Sequence, residues 1–360
     1  MFVVTKEELA PALDVIRAGL LKKSDLPIHS HVLMDVRSGR LRLATNSQVL
    51  HAESSLATKG PDVALAVPGE IAEIVDRLDG VISFEPREKT LTIKSGGTRL
   101  RLPCLDAVGF PQMAINGVSA ECELPTASLL RALSFVEPAV TKQDSRVFLT
   151  GVLFQWKGGA LTVVGSDGYV MGIARIPGDK LLDAECIIPD KAVNEIVRII
   201  KSRATNAVRI TISDRLVRFS VGSCEIISKL LDAKYPDWTA IVNGAAKATN
   251  ATQISIPRDR FVDALNRISL IARDEKRFLL QYGQGRIVLS TTNGAQSAEE
   301  PVPAQTPGEG QIWLNKRQVH VALTRIAGPV INLCVGGAEK AMRLAGEERT
   351  ECYIVMPMKE

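Results

Sequence analysis

Gly151-Val-Leu-Phe-Gln-Trp-Lys-Gly-Gly-Ala-Leu-Thr-Val-Val164 decides the fold. Two apolar, β-branched arms flank Gly158-Gly159, where glycine supplies a positive φ, so the stretch reads as a β-hairpin. Its meaning changes once the rest of the chain is laid beside it. Val32-Leu-Met-Asp-Val-Arg-Ser-Gly-Arg-Leu-Arg-Leu-Ala44 and Leu279-Leu-Gln-Tyr-Gly-Gln-Gly-Arg-Ile-Val-Leu-Ser290 have the same arms around the same kind of turn. A hairpin that recurs at wide, similar intervals points to a chain built from repeats.

The flanking segments recur as well. A helix-like stretch precedes each hairpin, at 6–17, 125–135 and 257–268. In the first, Leu9, Leu13, Ile16 and Leu20 fall at helical spacing on one apolar face. Thr5, with Glu8 three residues on, has the pattern of a capping box. Pro125 and Pro257 sit where a first helical turn tolerates proline. A second helix-like stretch follows each hairpin, at 68–78, 189–200 and 315–326. A second hairpin closes each third, at 81–94, 208–219 and 330–344. Each third therefore reads helix, strands, helix, strands, and is itself doubled, giving six half-units. Phe110-Pro-Gln-Met closes the first third and Tyr235-Pro-Asp-Trp the second. Residues 114–122 and 243–252 read as linkers, the latter the more linker-like of the two.

The chain has 360 residues, too many for one ordinary core. With 44 basic and 40 acidic residues its net charge is +4, mildly basic and no indication of nucleic acid in itself. The charge is unevenly placed: the helix-bearing segments are net basic and the rest slightly acidic. A surface of helices facing a polyanion is one reading, and ordinary solvated helix faces the other. Aromatic residues make up 4% of the chain, too few for a base-stacking platform, so any nucleic acid would be held by its phosphates. No apolar run is long enough to span a membrane and no signal peptide is read. Cys104, Cys122, Cys186, Cys224, Cys334 and Cys352 stand alone, as buried reduced thiols in a cytoplasmic protein would.

No phosphate-binding loop or dinucleotide fingerprint is present. His29 and His31 flank one serine but lack a third ligand, so no metal or cofactor is expected. Ser166-Asp167 has no neighbouring histidine. Neither a catalytic centre nor an enzyme is indicated.

Five motifs in order then become informative: Leu26-Pro-Ile28; Gln143-Asp-Ser-Arg-Val-Phe-Leu149 with Gly151; Ser166-Asp-Gly168; Lys229-Leu-Leu-Asp232 with Tyr235-Pro-Asp237; and Tyr353-Ile-Val-Met-Pro-Met358. Together they resemble the bacterial DNA polymerase III β subunit family, the sliding clamps, over essentially the whole chain. The resemblance implies an α+β fold of three similar clamp domains, at 1–117, 122–242 and 253–360, each with two helices packed on antiparallel sheets. It implies a head-to-tail homodimer, a closed ring around double-stranded DNA without sequence specificity. The ring would tether the polymerase for processivity.

By the same resemblance, clients insert a short peptide into a hydrophobic groove. These clients are the DNA polymerase III α subunit, clamp-loader subunits, other polymerases and mismatch-repair proteins. The matching positions are Arg146, Leu149, Ser166, Gly168, Tyr169, Val170, Met171, Pro236, Ile241, Ile354, Met356, Pro357 and Met358. Methionines suit a surface that must accept many partners. Lys23 and Gln143 match DNA-contacting positions. Arg198, Lys201 and Arg203 are added from the charge distribution. Leu100, Leu270 and Ile271 match the ring interface. Two departures stand out. Tyr169-Val170-Met171 occupies the place of a frequent His-Arg-Leu, and the chain ends Lys359-Glu360 where a basic residue and leucine are common. Shifted client preference is the expectation. The competing readings are a repeat-built scaffold that does not encircle DNA, and an enzyme with a dispersed site.

Overall fold

The computed structural model describes residues 1–178, 182–246, 251–271, 275–348 and 350–359. Part of the linker-like segment (247–250) and the terminal Glu360 lie outside the described residues.

The repeat is visible in the element order. The first third runs β1 (Phe2–Thr5), α1 (Lys6–Ile16), β2 (His31–Arg37), β3 (Arg40–Asn46), β4 (Leu50–Ala57), β5 (Val63–Pro68), α2 (Ile71–Asp76), β6 (Val81–Arg87), β7 (Thr90–Ser95) and β8 (Thr98–Pro103), with a short β9 (Leu105–Asp106). The second runs β10 (Ala120–Pro125), α3 (Thr126–Val136), β11 (Gly151–Lys157), β12 (Ala160–Ser166), β13 (Val170–Pro177), β14 (Ala184–Pro189), α4 (Asp190–Ser202), β15 (Ala207–Ile212), β16 (Leu216–Val221) and β17 (Cys224–Lys229), followed by α5 (Trp238–Ala246). The third runs β18 (Thr252–Pro257), α6 (Arg258–Ile271), β19 (Arg277–Gly283), β20 (Arg286–Asn293), β21 (Gln296–Pro303), β22 (Gly310–Asn315), α7 (Lys316–Arg325), β23 (Val330–Val335), β24 (Met342–Ala345) and β25 (Glu351–Val355).

All six expected hairpins form: β2–β3, β6–β7, β11–β12, β15–β16, β19–β20 and β23–β24 are antiparallel pairs. Three details differ from the sequence reading. Each half-unit begins with a strand, and Pro68, Pro125, Pro189 and Pro257 end strands instead of opening helices. Proline lacks an N–H and is tolerated at strand ends, while the residue after it is free to start a helix. The capping box at Thr5 does not form: its hydroxyl donates to the Glu8 carboxylate at 2.9 Å and caps no backbone N–H. Finally, α5 runs into the segment read as linker as far as Ala246, since alanine favours a helix.

The chain divides into two compact units that do not follow the thirds. One is Met1–Ala127 with Asn194–Leu230; the other is Ser128–Val193 with Leu231–Glu360. The first unit holds a four-stranded sheet, β1-β6-β7-β8, and a nine-stranded sheet, β10-β15-β16-β17-β4-β3-β2-β5-β9. Leu9, Leu13 and Ile16 of α1 are fully buried in a cluster with Phe2, Val32, Leu41 and Phe84. Each such side chain contributes about 2 kcal/mol of hydrophobic stabilisation.

The second unit holds β14-β11-β12-β13-β25-β24-β23-β18 and β21-β20-β19-β22. Here the chain's last strand closes on the middle third, with Val170 opposite Val355 and Met171 opposite Ile354. Leu153, Val164, Met171, Ile187, Tyr235 and Ile354 are buried in one cluster, with Trp238 and Val242 of α5 packed against it. This cluster is the floor beneath the candidate site.

Candidate functional site: an apolar cleft beside the 166–171 turn

The turn between β12 and β13 is held by its own side chains. The buried Ser166 hydroxyl donates to the Val170 carbonyl at 2.8 Å and accepts from Gly168 N at 3.0 Å. Asp167 Oδ1 accepts from Tyr169 N and Val170 N, both at 2.8 Å. Gly168 has φ +89°, a conformation glycine adopts without strain, and a Cβ there would lie 2.8 Å from the Arg146 guanidinium, which would have to shift. The turn thereby pushes Tyr169 outward, 62% exposed, while Val170 and Met171 return to the core.

A cleft of about 150 Å³ opens beside this turn. Arg146, Leu149, Ser166, Gly168, Tyr169, Val170 and Met171 line one side. Pro236 and Ile241 reach it from the start of α5, and Ile354 and Met356 from the end of β25. The C-terminal tail is fixed here by a hydrogen bond from Met356 N to the Tyr169 carbonyl at 2.8 Å. Two of the grouped residues turn away: Pro357 and Met358 do not line the cleft. Met358 N donates to the Trp313 carbonyl at 2.8 Å, and Arg277, stacked on the Trp313 ring at 5.1 Å, donates to the Lys359 carbonyl at 3.2 Å. That anchoring draws the tail towards β22.

Two lining residues escaped the sequence reading, Phe148 and Tyr235. Their rings meet edge to face, with centroids 5.9 Å apart. Both stand inside motifs already quoted, so an aromatic residue beside each motif's apolar position was the available signal. The Tyr235 hydroxyl is buried without a hydrogen-bond partner among the described residues, and burial pushes the phenol well above its usual range.

The polar rim is a guanidinium clamp. Arg146 Nε donates to Asp144 Oδ1 at 3.0 Å and Nη2 to Oδ2 at 2.8 Å, while Arg146 N donates to Oδ1 at 2.8 Å. These bonds hold the Asp144 carboxyl down at about 2. Methionine, isoleucine and aromatic walls with one oriented charged rim suit an apolar peptide and place no nucleophile beside a base. Among the described residues no group of three or more His, Cys, Asp or Glu side chains is placed to hold a metal.

Comparison with known proteins gives the frame for this cleft. Residues 1–114 match the model of the DNA polymerase III beta subunit N-terminal domain, and residues 123–237 that of its central domain. The two together cover well over half of the chain. This chain belongs to the DNA polymerase III beta subunit family. It is 28% identical to the beta sliding clamp of Caulobacter vibrioides over 347 residues, covering 91% of this chain and 90% of that protein. It is 24% identical to the beta sliding clamp of Escherichia coli over 377 residues, covering 99% of each. The fold superposes on the crystal structure of the DNA polymerase III beta subunit from Pseudomonas aeruginosa with a TM-score of 0.93, at 22% identity, over all of both chains. The architecture is thus the α+β clamp fold, and the function is that of a DNA sliding clamp, a processivity factor with no catalytic activity of its own.

The beta-subunit positions for DNA and for assembly fall in different surroundings. Lys23 is exposed in a loop before the 3₁₀ turn Pro27–Ser30 and has no ion-pair partner among the described residues. Gln143 is exposed in the corresponding loop of the second third, and Lys201 is exposed at the end of α4. Arg198 is a correction to the charge-based reading, and Arg203 is tethered without being neutralised. Arg198 is bound to Asp14 Oδ2 at 2.6 Å and to Glu195 Oε2 at 2.8 Å, and Arg203 donates to the Pro11 carbonyl at 2.6 Å. The Arg198 charge is thus shared with two carboxylates and offers little to a phosphate, whereas Arg203 is tied to a neutral carbonyl and keeps its charge. Leu270 and Ile271 are 63% and 44% exposed at the end of α6. Leu100 is half-buried against the first unit's own core, while Arg99 and Arg101 on either side are exposed.

Proposed function

We propose that two copies of this chain close head to tail into a ring around duplex DNA, with clamp domains at 1–117, 122–242 and 253–360, in the cytoplasm. The observation that carries the assembly is a pair of terminal strands with complementary charge. β8 ends one sheet and exposes Arg99 and Arg101; β21 ends another and exposes Glu299. An uncovered edge is a template for a further strand. Like edges would oppose like charges, whereas β8 against a partner's β21 joins opposite ones. Leu270, Ile271 and the free face of Leu100 supply the apolar part of that contact. Lys23, Gln143 and Lys201 contact phosphate in the enclosed duplex without reading its sequence.

The cleft beside Gly168 serves as the client groove in this reading. It takes an apolar peptide from the polymerase α subunit, loader subunits, other polymerases and mismatch-repair proteins. One leucine-sized anchor buried there contributes about 2 kcal/mol. Tyr169-Val170-Met171 makes the wall more apolar, shifting preference toward aromatic and aliphatic anchors.

The deciding experiment loads the protein onto circular duplex DNA with a clamp loader and then linearises the DNA. A ring runs off the ends, whereas a side-binding scaffold stays. For the interface, Leu270→Asp with Ile271→Asp gives monomers by light scattering; a persisting dimer refutes that placement.

A further inference from the structure

The helices differ sharply in how much of their positive charge is left unspent. α1 exposes Glu7 and Glu8, and α2 exposes Glu73 and Asp76. Arg131 of α3 is bound to Glu351 at 2.8 Å and also to Glu348. On α6, Arg267 is bound to Glu300 at 2.7 Å and Arg258 to Asp259 at 3.2 Å. α3 and α5 also lack acidic residues, but the one arginine of α3 is paired and α5 has no basic residue, whereas α7, Lys-Arg-Gln-Val-His-Val-Ala-Leu-Thr-Arg, combines three lysine and arginine residues with no acidic one. Its buried side is Val319, Ala322 and Leu323, and its exposed side is Arg317, His320, Thr324 and Arg325. Neither Arg317 nor Arg325 has an ion-pair partner among the described residues. The Thr324 hydroxyl donates back to the Val321 carbonyl at 3.0 Å, so the free donors of this face are Arg317, His320 and Arg325.

We infer that the phosphate contacts of the duplex concentrate on this exposed face of α7, through Arg317, His320 and Arg325. The inference rests on the reading that the chain encloses DNA, and it assigns residues that neither the family motifs nor the charge count selected. Arg317 and Arg325 are eight residues apart, about 12 Å along the helix. That length spans roughly three to four phosphates of one strand, at about 3.4 Å of rise each. Guanidinium forks bind phosphate oxygens through two parallel N–H donors. Because no carboxylate shares the helix, the charge stays available to the duplex and is not spent internally. The helix faces of the first third expose Glu7, Glu8, Glu73 and Asp76 and add no such contact beyond its Lys23 loop, so the grip on DNA is uneven along the chain.

The test is fluorescence anisotropy of a labelled mixed-sequence duplex, titrated with the full chain at several salt concentrations. Arg317→Ala with Arg325→Ala lowers the slope of log K against log salt by about 1.8, at about 0.9 per lost phosphate contact, and weakens low-salt binding about tenfold or more. Arg317→Lys with Arg325→Lys restores most of the slope, which a merely misfolded variant would not do. Arg198→Ala leaves the slope unchanged, since that charge is already neutralised. A double alanine variant with the wild-type slope overturns the inference and leaves the enclosure of DNA standing. Failure of the wild-type chain to bind the duplex at any salt overturns both.

Discussion

Two turns of this molecule share a backbone and differ in what fills the space beside them. In the first third, Ser47 N bonds the Leu50 carbonyl at 2.9 Å, and Lys229 N of the adjoining strand bonds the Val49 carbonyl at 2.9 Å. In the second, Asp167 N bonds the Val170 carbonyl at 3.2 Å, and Met356 N bonds the Tyr169 carbonyl at 2.8 Å. Gln48 and Gly168 occupy the same left-handed position, with φ of 69° and 89°. Beside the first turn, the buried His29 Nδ1 lies 2.5 Å from the Asn46 carbonyl, and its Nε2 lies 3.0 Å from the Gln48 amide. Beside the second, Leu149 stands in place of His29 and glycine in place of Gln48, and a cleft remains. The lesson is that the repeat supplies the turn, while two side chains decide whether the space next to it is bridged by polar groups or left apolar and open.

Exchanging those side chains tests this account. The largest effect is expected from His29→Leu, which gives the first turn the second's residue. It leaves the carbonyl of the buried Asn46 without its partner and should cost about 2 kcal/mol. Urea unfolding measures it, and an unchanged midpoint would mean that the bridging bonds contribute nothing. The reverse exchange, Gly168→Gln, places a side chain at φ +89° against Arg146 and should cost about 1–2 kcal/mol. It should also abolish binding of apolar peptides in the cleft, read by calorimetry; retained affinity would show that the cleft does not depend on the missing side chain.

A smaller effect comes from acid. Asp144 is held at about 2, below the ordinary carboxylate value near 3.9, by hydrogen bonds from Arg146. A depressed carboxylate favours the folded rim above pH 4, and that contribution is lost as pH falls toward 2. Peptide affinity should therefore decline over that window. Asp144→Asn should flatten the response; a variant that declines like the wild type would place the titrating group elsewhere. Glu53 in the first unit is also held at about 2: burial raises it, but hydrogen bonds from His51 and Arg42 outweigh the burial. Its titration should register in stability and leave peptide affinity alone.

Much of this was legible in the sequence where the signal is local. Four of the six hairpins carry glycine in their turns, the arms are rich in apolar and β-branched residues, and all six form. In four half-units the strand before the helix was hidden because its terminal proline resembled a helix start, although Ala120-Glu-Cys-Glu-Leu alternates as a strand should. At the cleft, motifs brought Arg146 to Met171 together, but Pro357 and Met358 were misplaced because the Met358–Trp313 bond joins elements with no shared periodicity. Arg198 was misread for the same reason. Its partner Asp14 is 184 residues away, and charge counting along one helix takes no account of it.

The sheet that joins β13 to β25 also governs the order in which this chain is completed. β13 emerges from synthesis about halfway along, yet its second neighbour is the last strand made. Until residues Glu351–Val355 arrive, β13 presents an unpaired edge rich in valine, isoleucine and alanine, of the kind that invites aggregation. Pairing across so long a stretch of sequence is slow to close. A chain shortened by its final strand would therefore lack more than a tail: it would carry an open edge through the middle of its second unit.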